Sequence, residues 1–297
     1  MVKYNKDQLV MMSVIGEVSS PRGRAGYRVT PEGKPSLLPG VGGISYNVRV
    51  GDPVCGWKAD HVEPCVSTKN SNGDNNVSYN HLSCIGNEAR VVSGAAKGAK
   101  GVVTGKHGGI EHVLVDFDDA AVEKLVIGDK IQVKGMGLGM ELTDFPEVKV
   151  MNVSPKLLEA LPIKPKRGAA GTLEAPVTHL IPAKIMGSGL GAASCEQGDY
   201  DIQLFDETVV KEHGLDTLRF GDLVAIVDAD HSFGRIYRTG AISVGVVVHS
   251  CCATAGHGPG VTTLFTSTVG KIAPAVKSDA NIGRVLNIGR WRRKRRH

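Results

Sequence analysis

Two histidines in the C-terminal third lie in a segment with little side-chain bulk. His249 follows the apolar run Val246–Val248, and His257 stands in the sequence Gly-His-Gly-Pro-Gly. Because glycines leave nothing to bury and allow a ligand close to the backbone, core packing does not account for His257. An imidazole with a pKa of about 6.5 suits proton transfer or binding of a divalent metal. We therefore expect His249 to be a metal ligand and His257 to be catalytic.

A second ionisable group lies near the start of the chain, in the sequence Asp60-His61-Val62-Glu63. In an extended segment His61 and Glu63 share one face, so both could bind one cation or one substrate. The sequence therefore predicts Asp60, His61 and Glu63 as metal ligands. The alternative is an ordinary solvated loop.

A third candidate directly follows the apolar run Leu223–Val227, where Asp230 precedes His231. An aspartate beside a histidine can orient the ring and raise its basicity, which suits a general base. We expect Asp230 and His231 to be catalytic, and Arg235 and Arg238 to bind an anionic substrate. A charged β-turn is the alternative.

A glycine-rich loop reads Gly-Ser-Gly-Leu-Gly at residues 187–191. Its spacing differs from the dinucleotide-binding pattern G-x-G-x-x-G, and no long helix follows it, so a dinucleotide-binding loop is not expected. Its backbone N–H groups could still bind a small anion, with Ser188 and Gly189 as substrate-binding residues. A bulge or tight turn is the alternative.

The six cysteines form no C-x-x-C pair, and Cys251 and Cys252 are adjacent, an awkward geometry for a disulfide. A zinc finger or ribbon is therefore not expected. Reduced, mostly packed thiols are predicted. Because they follow His249, Cys251 and Cys252 could instead supply a nucleophile or a soft ligand.

The elements that must position these residues are mainly strands. With 38 glycines in 297 residues and 5% aromatics, the chain favours turns and short strands packed by aliphatic side chains. Valine-rich strands around a basic, glycine-rich stretch at 93–101 resemble a KOW-type barrel loop, although an ordinary barrel hairpin is favoured. We predict an α+β, mostly β protein with two β-rich domains, the first with a small barrel-like element. The boundaries are 1–153 for the first domain, 154–175 for a linker, 176–289 for the second and 290–297 for a basic tail.

Charge and hydropathy limit the partners. The net charge of +5 comes from the end of the chain, since residues 1–283 carry 28 basic against 30 acidic side chains. The basic tail could contact nucleic acid, although a solvated end is favoured. No segment approaches the roughly 20 apolar residues of a bilayer span, and no signal peptide is recognised, so a cytoplasmic protein is expected.

Several motifs together resemble a two-part family of bacterial and archaeal proteins described as a domain of unknown function. The resemblance spans about two thirds of the chain and is carried by ADHVEP (59–64), CIGNEA (84–89), AAKGAKGVVTGKHGG (95–109), MGSG (186–189), GDYDI (198–202), FGD (220–222) and AGHGPGV (255–261). It implies N- and C-terminal portions with a mixed, β-rich fold. It implies no activity, and the basic tail lies outside it.

Two functions from different classes follow from these patterns. The first is a metal-assisted hydrolase, or a related small-molecule enzyme, that uses a divalent cation and binds a small anionic molecule. The second is a binding or assembly protein without chemistry, a homo-oligomer that contacts RNA through its tail. The first requires the distant histidines to meet in one cleft.

Overall fold

Short strands punctuated by glycine make up most of the protein. The computed structural model describes residues 2–23, 27–38, 40–187, 192 and 194–293. The strands of the first part are β1 Met12–Val18, β2 Arg28–Val29, β3 Pro35–Ser36, β4 Ile44–Ser45, β5 Cys65–Lys69, β6 Glu88–Val91, β7 Lys100–His107, β8 His112–Asp116, β9 Lys130–Gly135 and β10 Lys149–Val150. Those of the second part are β11 Lys164–Pro165, β12 Leu173–Val177, β13 His179–Pro182, β14 Tyr200–Asp201, β15 Leu223–Asp230, β16 Ile236–Val247, β17 Gly260–Ser267 and β18 Ile272–Val276.

Helices are few and short among the described residues. The α-helices are α1 Gly73–Leu82, α2 Asp119–Val122, α3 Pro155–Ala160, α4 Glu207–Glu212 and α5 Ile282–Leu286. Single 3-10 turns lie at Lys6–Gln8, Ala183–Ile185, Leu215–Thr217 and Gly289–Trp291. Side-chain caps fix several helix starts; Ser154, for example, accepts from the Leu157 N–H ahead of Pro155, a residue suited to the first helical position. None of the helices that the structure describes is long and apolar enough to cross a bilayer.

The first part contains a closed barrel, as the sequence predicts. Its six strands follow the order β1-β9-β6-β7-β8-β5, and pairing of β1 with β5 completes the ring. Closure leaves no free sheet edge, and a barrel of so few strands has an interior that side chains fill. Aliphatic residues such as Val66, Val103 and Val115 fill it, each 0% exposed.

The second part is built on a sheet with the order β10-β17-β16-β15-β13, with β14 paired to β17. The apolar runs at 223–227 and 241–248 form its buried central strands β15 and β16, as predicted. A smaller sheet has the order β11-β12-β18, and β2 and β3 form a separate hairpin. The protein is therefore mostly β and in two parts.

The two parts share one hydrophobic core. Leu142 and Val153 from the first part pack in the same buried cluster as Leu264 and Phe265 from the second. The segment predicted as a linker contributes α3 to this cluster through its buried Leu157. Contact between the parts continues at β7, where Lys106 N–H donates to the Thr262 hydroxyl over 3.2 Å and the Lys106 carbonyl accepts from it over 2.9 Å.

The prediction of reduced thiols throughout is wrong for one pair. Cys55 and Cys251 form a disulfide, so the adjacency of Cys251 to Cys252 excluded only a bond between those two. The remaining cysteines are free and buried, as expected. The disulfide joins the segment before Asp60 to the loop after His249.

The start of the basic tail is docked on the protein. Arg290 binds both carboxylate oxygens of Asp52, and Arg292 binds the buried Asp116. Trp291 packs against Gly51, whose missing side chain makes room for the ring. Residues 294–297 of the predicted tail lie outside the described residues.

Candidate metal centre

Four histidines from four separate segments meet in one place between the two parts. His61 lies in the loop before β5, His107 ends β7, His249 follows β16 and His257 lies in the loop before β17. The ring of His249 lies 4.2 Å from that of His107 and 4.9 Å from that of His61, centroid to centroid. The ring of His257 lies 5.3 Å from that of His61. Three of these rings are buried, and the side chain of His257 is 30% exposed.

Local backbone structure brings His61 into this position. The sequence suggests an extended segment at 60–63, whereas His61 adopts a left-handed conformation with φ of 47°. Such a conformation costs a non-glycine residue about 1–3 kcal/mol, and contacts of the surrounding fold must hold it. Here the Val62 N–H donates to the Ser250 hydroxyl over 2.7 Å, and the Ser250 N–H donates to the Val62 carbonyl over 3.0 Å. The loops that carry His61 and His249 are therefore bonded to each other.

Strand β14 and the residue before it supply two buried carboxylates. Asp199 Oδ2 lies 2.8 Å from His249 Nε2, and Asp201 Oδ1 lies 3.3 Å from the same nitrogen. Asp201 pairs with Gly260 across the sheet. A Cβ atom at Gly260 would lie 1.9 Å from Asp199 Oδ2 and 2.3 Å from His249 Nε2, so only glycine fits there.

Carboxylates also hold the Nδ1 atoms of the other three imidazoles. Asp60 Oδ1 lies 3.0 Å from His61 Nδ1, and Asp201 Oδ2 lies 2.9 Å from His257 Nδ1. Glu63 forms the equivalent contact with His107 Nδ1. The contacts of Asp60 and Glu63 fix the rings of His61 and His107 and leave Nε2 of each available, the arrangement found around metal-bound histidines. Asp201 differs, because its other oxygen faces His249.

Glu63 is the centre of a further buried network. Its carboxylate also accepts from the Ser67 hydroxyl and contacts His112 Nδ1 at 2.9 Å and 3.1 Å. The other nitrogen of His112 lies 3.0 Å from the hydroxyl of Ser19. Burial raises the pKa of Glu63, but His112 and His107 outweigh it and lower that pKa well below its usual value. Glu63 is therefore a carboxylate that fixes His107.

Eight side chains supply donor atoms that could bind a metal. They form four overlapping triads, in each of which the ligand atoms lie within 4.8 Å of one another. We call the eight residues the metal cluster: Asp60, His61, His107, Asp199, Asp201, His249, Cys252 and His257. Imidazole, carboxylate and thiol together are ligands typical of zinc and other transition metals.

Burial and the neighbouring charges set the protonation of the cluster. Burial lowers the pKa of His61 to about 4 despite the contact with Asp60, so the ring is neutral at pH 7. Burial also lowers the pKa of His249, but Asp199 and Asp201 outweigh it and raise that pKa well above its usual value. Burial, together with Asp60, raises the pKa of Cys252 to about 11. The thiol donates to Asp60 over 2.8 Å.

The cluster is rich in negative charge. Four buried carboxylates contact its imidazoles, namely Asp60, Glu63, Asp199 and Asp201. Among the ion pairs described for these four, one guanidinium takes part, that of Arg28, which lies 3.2 Å from Asp60. Buried carboxylates require cationic partners, since desolvation of an unpaired charge is costly. His249, whose pKa Asp199 and Asp201 raise, supplies part of this charge, and a divalent cation bound in place of its proton would supply more.

A cavity of about 410 Å³ adjoins Glu63, which holds His107, and its described lining includes none of the eight residues of the metal cluster. Its lining includes Glu63, Val62 and the side chains of Tyr46, Trp57 and Lys58. Its size suits a small molecule, and aromatic walls with one cationic group suit a small anion. A larger cavity of about 660 Å³ lies elsewhere, lined in part by His81, Cys84 and Glu196.

The structure brings together most of the predicted metal ligands. His61 and His249 lie in one cluster with His257, which was predicted to be catalytic. Asp60 and Glu63 lie behind the rings of His61 and His107.

The other predicted catalytic pair lies in a separate buried group. The ring of His231 packs 4.3 Å from that of Tyr200, and its Nδ1 contacts the Thr263 hydroxyl. Asp230 accepts from the Ser232 N–H and faces Arg238 at 3.7 Å. The contacts described for this pair include no side chain of the metal cluster, so its catalytic role stays a prediction.

The predicted substrate-binding residues are spread over different surroundings. Arg235 donates to the Met186 carbonyl, and Arg238 faces Asp230. Ser188 and Gly189 lie outside the described residues. The described contacts of the two arginines thus place neither of them beside the cluster.

Three members of the cluster were not identified from the sequence. His107 ends a barrel strand in Lys-His-Gly-Gly, and a histidine before glycines is the same signal that identified His257. Asp199 and Asp201 alternate with apolar residues in DYDIQLF (199–205), a pattern that predicts one shared face but indicates no site.

Comparisons with known proteins agree with the two-part organisation. The N-terminal model of the family described as Domain of unknown function (DUF4438) matches residues 27–159, and the C-terminal model matches residues 160–286. The solved crystal structure of TM1086 is 48% identical, has a TM-score of 0.89 and covers 95% of this chain and 98% of that chain. No curated protein matches. His61 and His107 fall in the N-terminal match, whereas His249 and His257 fall in the C-terminal match.

Proposed function

The chain belongs to the two-part DUF4438 family, and we propose that it is a metal-dependent hydrolase of a small anionic molecule. The observation that carries the proposal is the buried triad of His61, His107 and His249, whose ligand atoms lie within 4.8 Å of one another. Each comes from a different segment, so no local structure explains their meeting. We assign these three imidazoles as the nitrogen ligands of a divalent metal centre.

The surroundings of the triad support a metal rather than a packed polar core. Asp60 and Glu63 accept at Nδ1 of His61 and His107, which leaves Nε2 free on each ring for an ion. His112, by contrast, uses both nitrogens in hydrogen bonds, with Glu63 and Ser19, as a packed core histidine does. His249 has Nδ1 at the Ser250 carbonyl and Nε2 at Asp199, and an ion would replace the contact at Nε2. A divalent ion would also balance the buried carboxylates.

Hydrolysis is the reaction that the site supports best. A bound divalent ion supplies Lewis-acid assistance to attack by water on a carbonyl or phosphoryl group. His257, with its ring held by Asp201 and its side chain 30% exposed, is the most exposed of the four imidazoles and thus the one most accessible to a substrate. Lys58 in the adjoining cavity supplies positive charge for an anionic group.

Metal analysis with an activity screen tests the proposal. Protein purified without chelator is expected to hold about one or more zinc, manganese or cobalt ions per chain. It should hydrolyse at least one member of a panel of anionic esters, amides and lactones, and lose that activity in chelator. His107→Gln should lose metal and activity, whereas His213→Gln, at the end of α4, should keep both. A metal-free wild type that also fails to take up added metal would overturn the proposal.

The second candidate is a non-enzymatic assembly protein that forms a homo-oligomer in the cytoplasm. It is favoured by large apolar side chains exposed on the hairpin of β15 and β16, where Phe233 is 88% and Tyr237 69% exposed. Light scattering tests it by comparing the molar mass of the wild-type protein with that of the Phe233→Ser variant. A mass that stays that of a monomer for both proteins would exclude assembly through this hairpin. Contact with RNA through the tail would be lost on deletion of residues 290–297.

A further inference from the structure

We infer that the metal cluster holds two divalent ions, with Asp201 as the carboxylate that bridges them. This inference rests on the proposed function and deepens it. The first ion takes His107, His249 and Asp199, and the second takes His61 and His257. A paired centre of this kind positions an anionic substrate between two cations.

The number of donors exceeds what one ion needs. A zinc ion takes about four ligands, and a catalytic one keeps a position open for substrate or water. The metal cluster contains four triads, and two of them share Asp201. One triad joins Asp201 with Asp199 and His249, and the other joins it with His61 and His257.

The orientation of Asp201 carries the inference. Its Oδ1 lies 3.3 Å from His249 Nε2, while its Oδ2 lies 2.9 Å from His257 Nδ1. The two oxygens of one carboxylate thus face imidazoles of different triads. A carboxylate bridging two ions requires the same division of its oxygens.

The spacing of the donor atoms fits coordination shells. Ligands bound to one ion at about 2.1 Å lie about 3.0 Å apart in octahedral and about 3.4 Å apart in tetrahedral geometry. His249 Nε2 lies 2.8 Å from Asp199 Oδ2 and 3.3 Å from Asp201 Oδ1, close to this range. Small shifts would therefore convert these contacts into the ligand set of one ion.

Charge balance favours two ions over one. Imidazoles that bind a metal are neutral, so in the metal-bound state the four carboxylates and the guanidinium of Arg28 leave three negative charges to be balanced in the buried site. One divalent cation would leave the site negative, and it would repel an anionic substrate. Two divalent cations would leave it with one positive charge, which attracts a carboxylate or phosphate group.

Metal stoichiometry and magnetic coupling test the inference. Metal-free full-length protein is loaded with Mn²⁺, desalted and analysed by mass spectrometry for metal content and by electron paramagnetic resonance. Two ions per chain with an exchange-coupled spectrum are expected. Two ions without coupling would overturn the bridge, and one ion per chain would overturn the paired centre while leaving the proposed function intact. No bound ion, with Zn²⁺ as well as Mn²⁺, would overturn both.

Two variants test the assignment of the ligands. Asp201→Asn should reduce the content from two ions to one or none and abolish coupling, whereas Asp216→Asn, an exposed control, should keep two coupled ions. Should Asp201→Asn fail to fold, His257→Gln serves in its place, because this side chain is already 30% exposed. It should retain one uncoupled ion. Two coupled ions in either folded variant would contradict the assignment.

Discussion

Substitution of Glu63 by glutamine changes one buried atom and tests how the metal centre is held. Glu63 is buried with 2% exposure and receives contacts from the Ser67 hydroxyl and from Nδ1 of His107 and His112. Glutamine keeps one acceptor oxygen and replaces the other by an amide that donates. At least one donor that faces the replaced oxygen then loses its acceptor, and His107 is no longer fixed by a carboxylate.

The size of the effect follows from these contacts. A buried donor left without a partner costs about 1–3 kcal/mol of unfolding free energy. Loss of the carboxylate behind a metal-bound histidine lowers metal affinity by about 10- to 100-fold, or about 1.4–2.7 kcal/mol. Oε1 faces His107 and Oε2 accepts from Ser67, and the substitution removes the carboxylate to which both belong, so Glu63→Gln should show both effects.

Two assays measure the two effects on the same protein. Urea denaturation of the metal-free protein gives the unfolding free energy, and Zn²⁺ titration against a competing chelator gives the affinity. Glu212→Gln is the matched control, since its side chain is 64% exposed and lies on α4. If Glu63→Gln binds Zn²⁺ as tightly as the wild type, then Glu63 does not position a metal ligand.

Two further predictions concern single residues at and beyond the cluster. Gly260→Ala should lower metal affinity by more than about 10-fold, because the added methyl group would displace Asp199 and His249. The control is Gly73→Ala, which should bind metal normally because a Cβ there meets nothing within 4 Å. Equal affinity in the two variants would contradict this packing. Burial lowers the pKa of His231 to about 3 in the folded protein, whereas in the unfolded chain it is about 6.5. As the pH falls below about 6.5, His231 is protonated in the unfolded chain but not in the folded protein, so the unfolding free energy decreases. Between pH 7 and 4.5 the loss should be about 2.5 kcal/mol, and His231→Asn should flatten the measured profile by that amount. An unchanged profile would contradict a neutral buried His231.

The elements of the fold were largely predictable from the sequence. Glycine-bounded valine runs indicated a barrel-like first part, and the apolar runs at 223–227 and 241–248 indicated buried strands, because each signal is local. The disulfide between Cys55 and Cys251 was not predictable. It depends on two loops that meet only in the folded protein.

The candidate site was predictable only in part for the same reason. His249 and His257 were recognised because the residues around them are glycines and other small residues, so core packing does not explain the two imidazoles. His107 was missed because a histidine at the end of a valine-rich barrel strand reads as an ordinary strand residue. The sequence also placed Asp230 beside His231 at the end of a strand, yet the ring turns onto Tyr200 instead.

Anomalous diffraction at the metal absorption edge tests the central claim most directly. Crystals grown with Zn²⁺ should show strong anomalous density between the two parts, within about 2.0–2.2 Å of nitrogen atoms of His61, His107 and His249. Density confined to other places, or no density between these three rings at saturating Zn²⁺, would contradict a metal centre there.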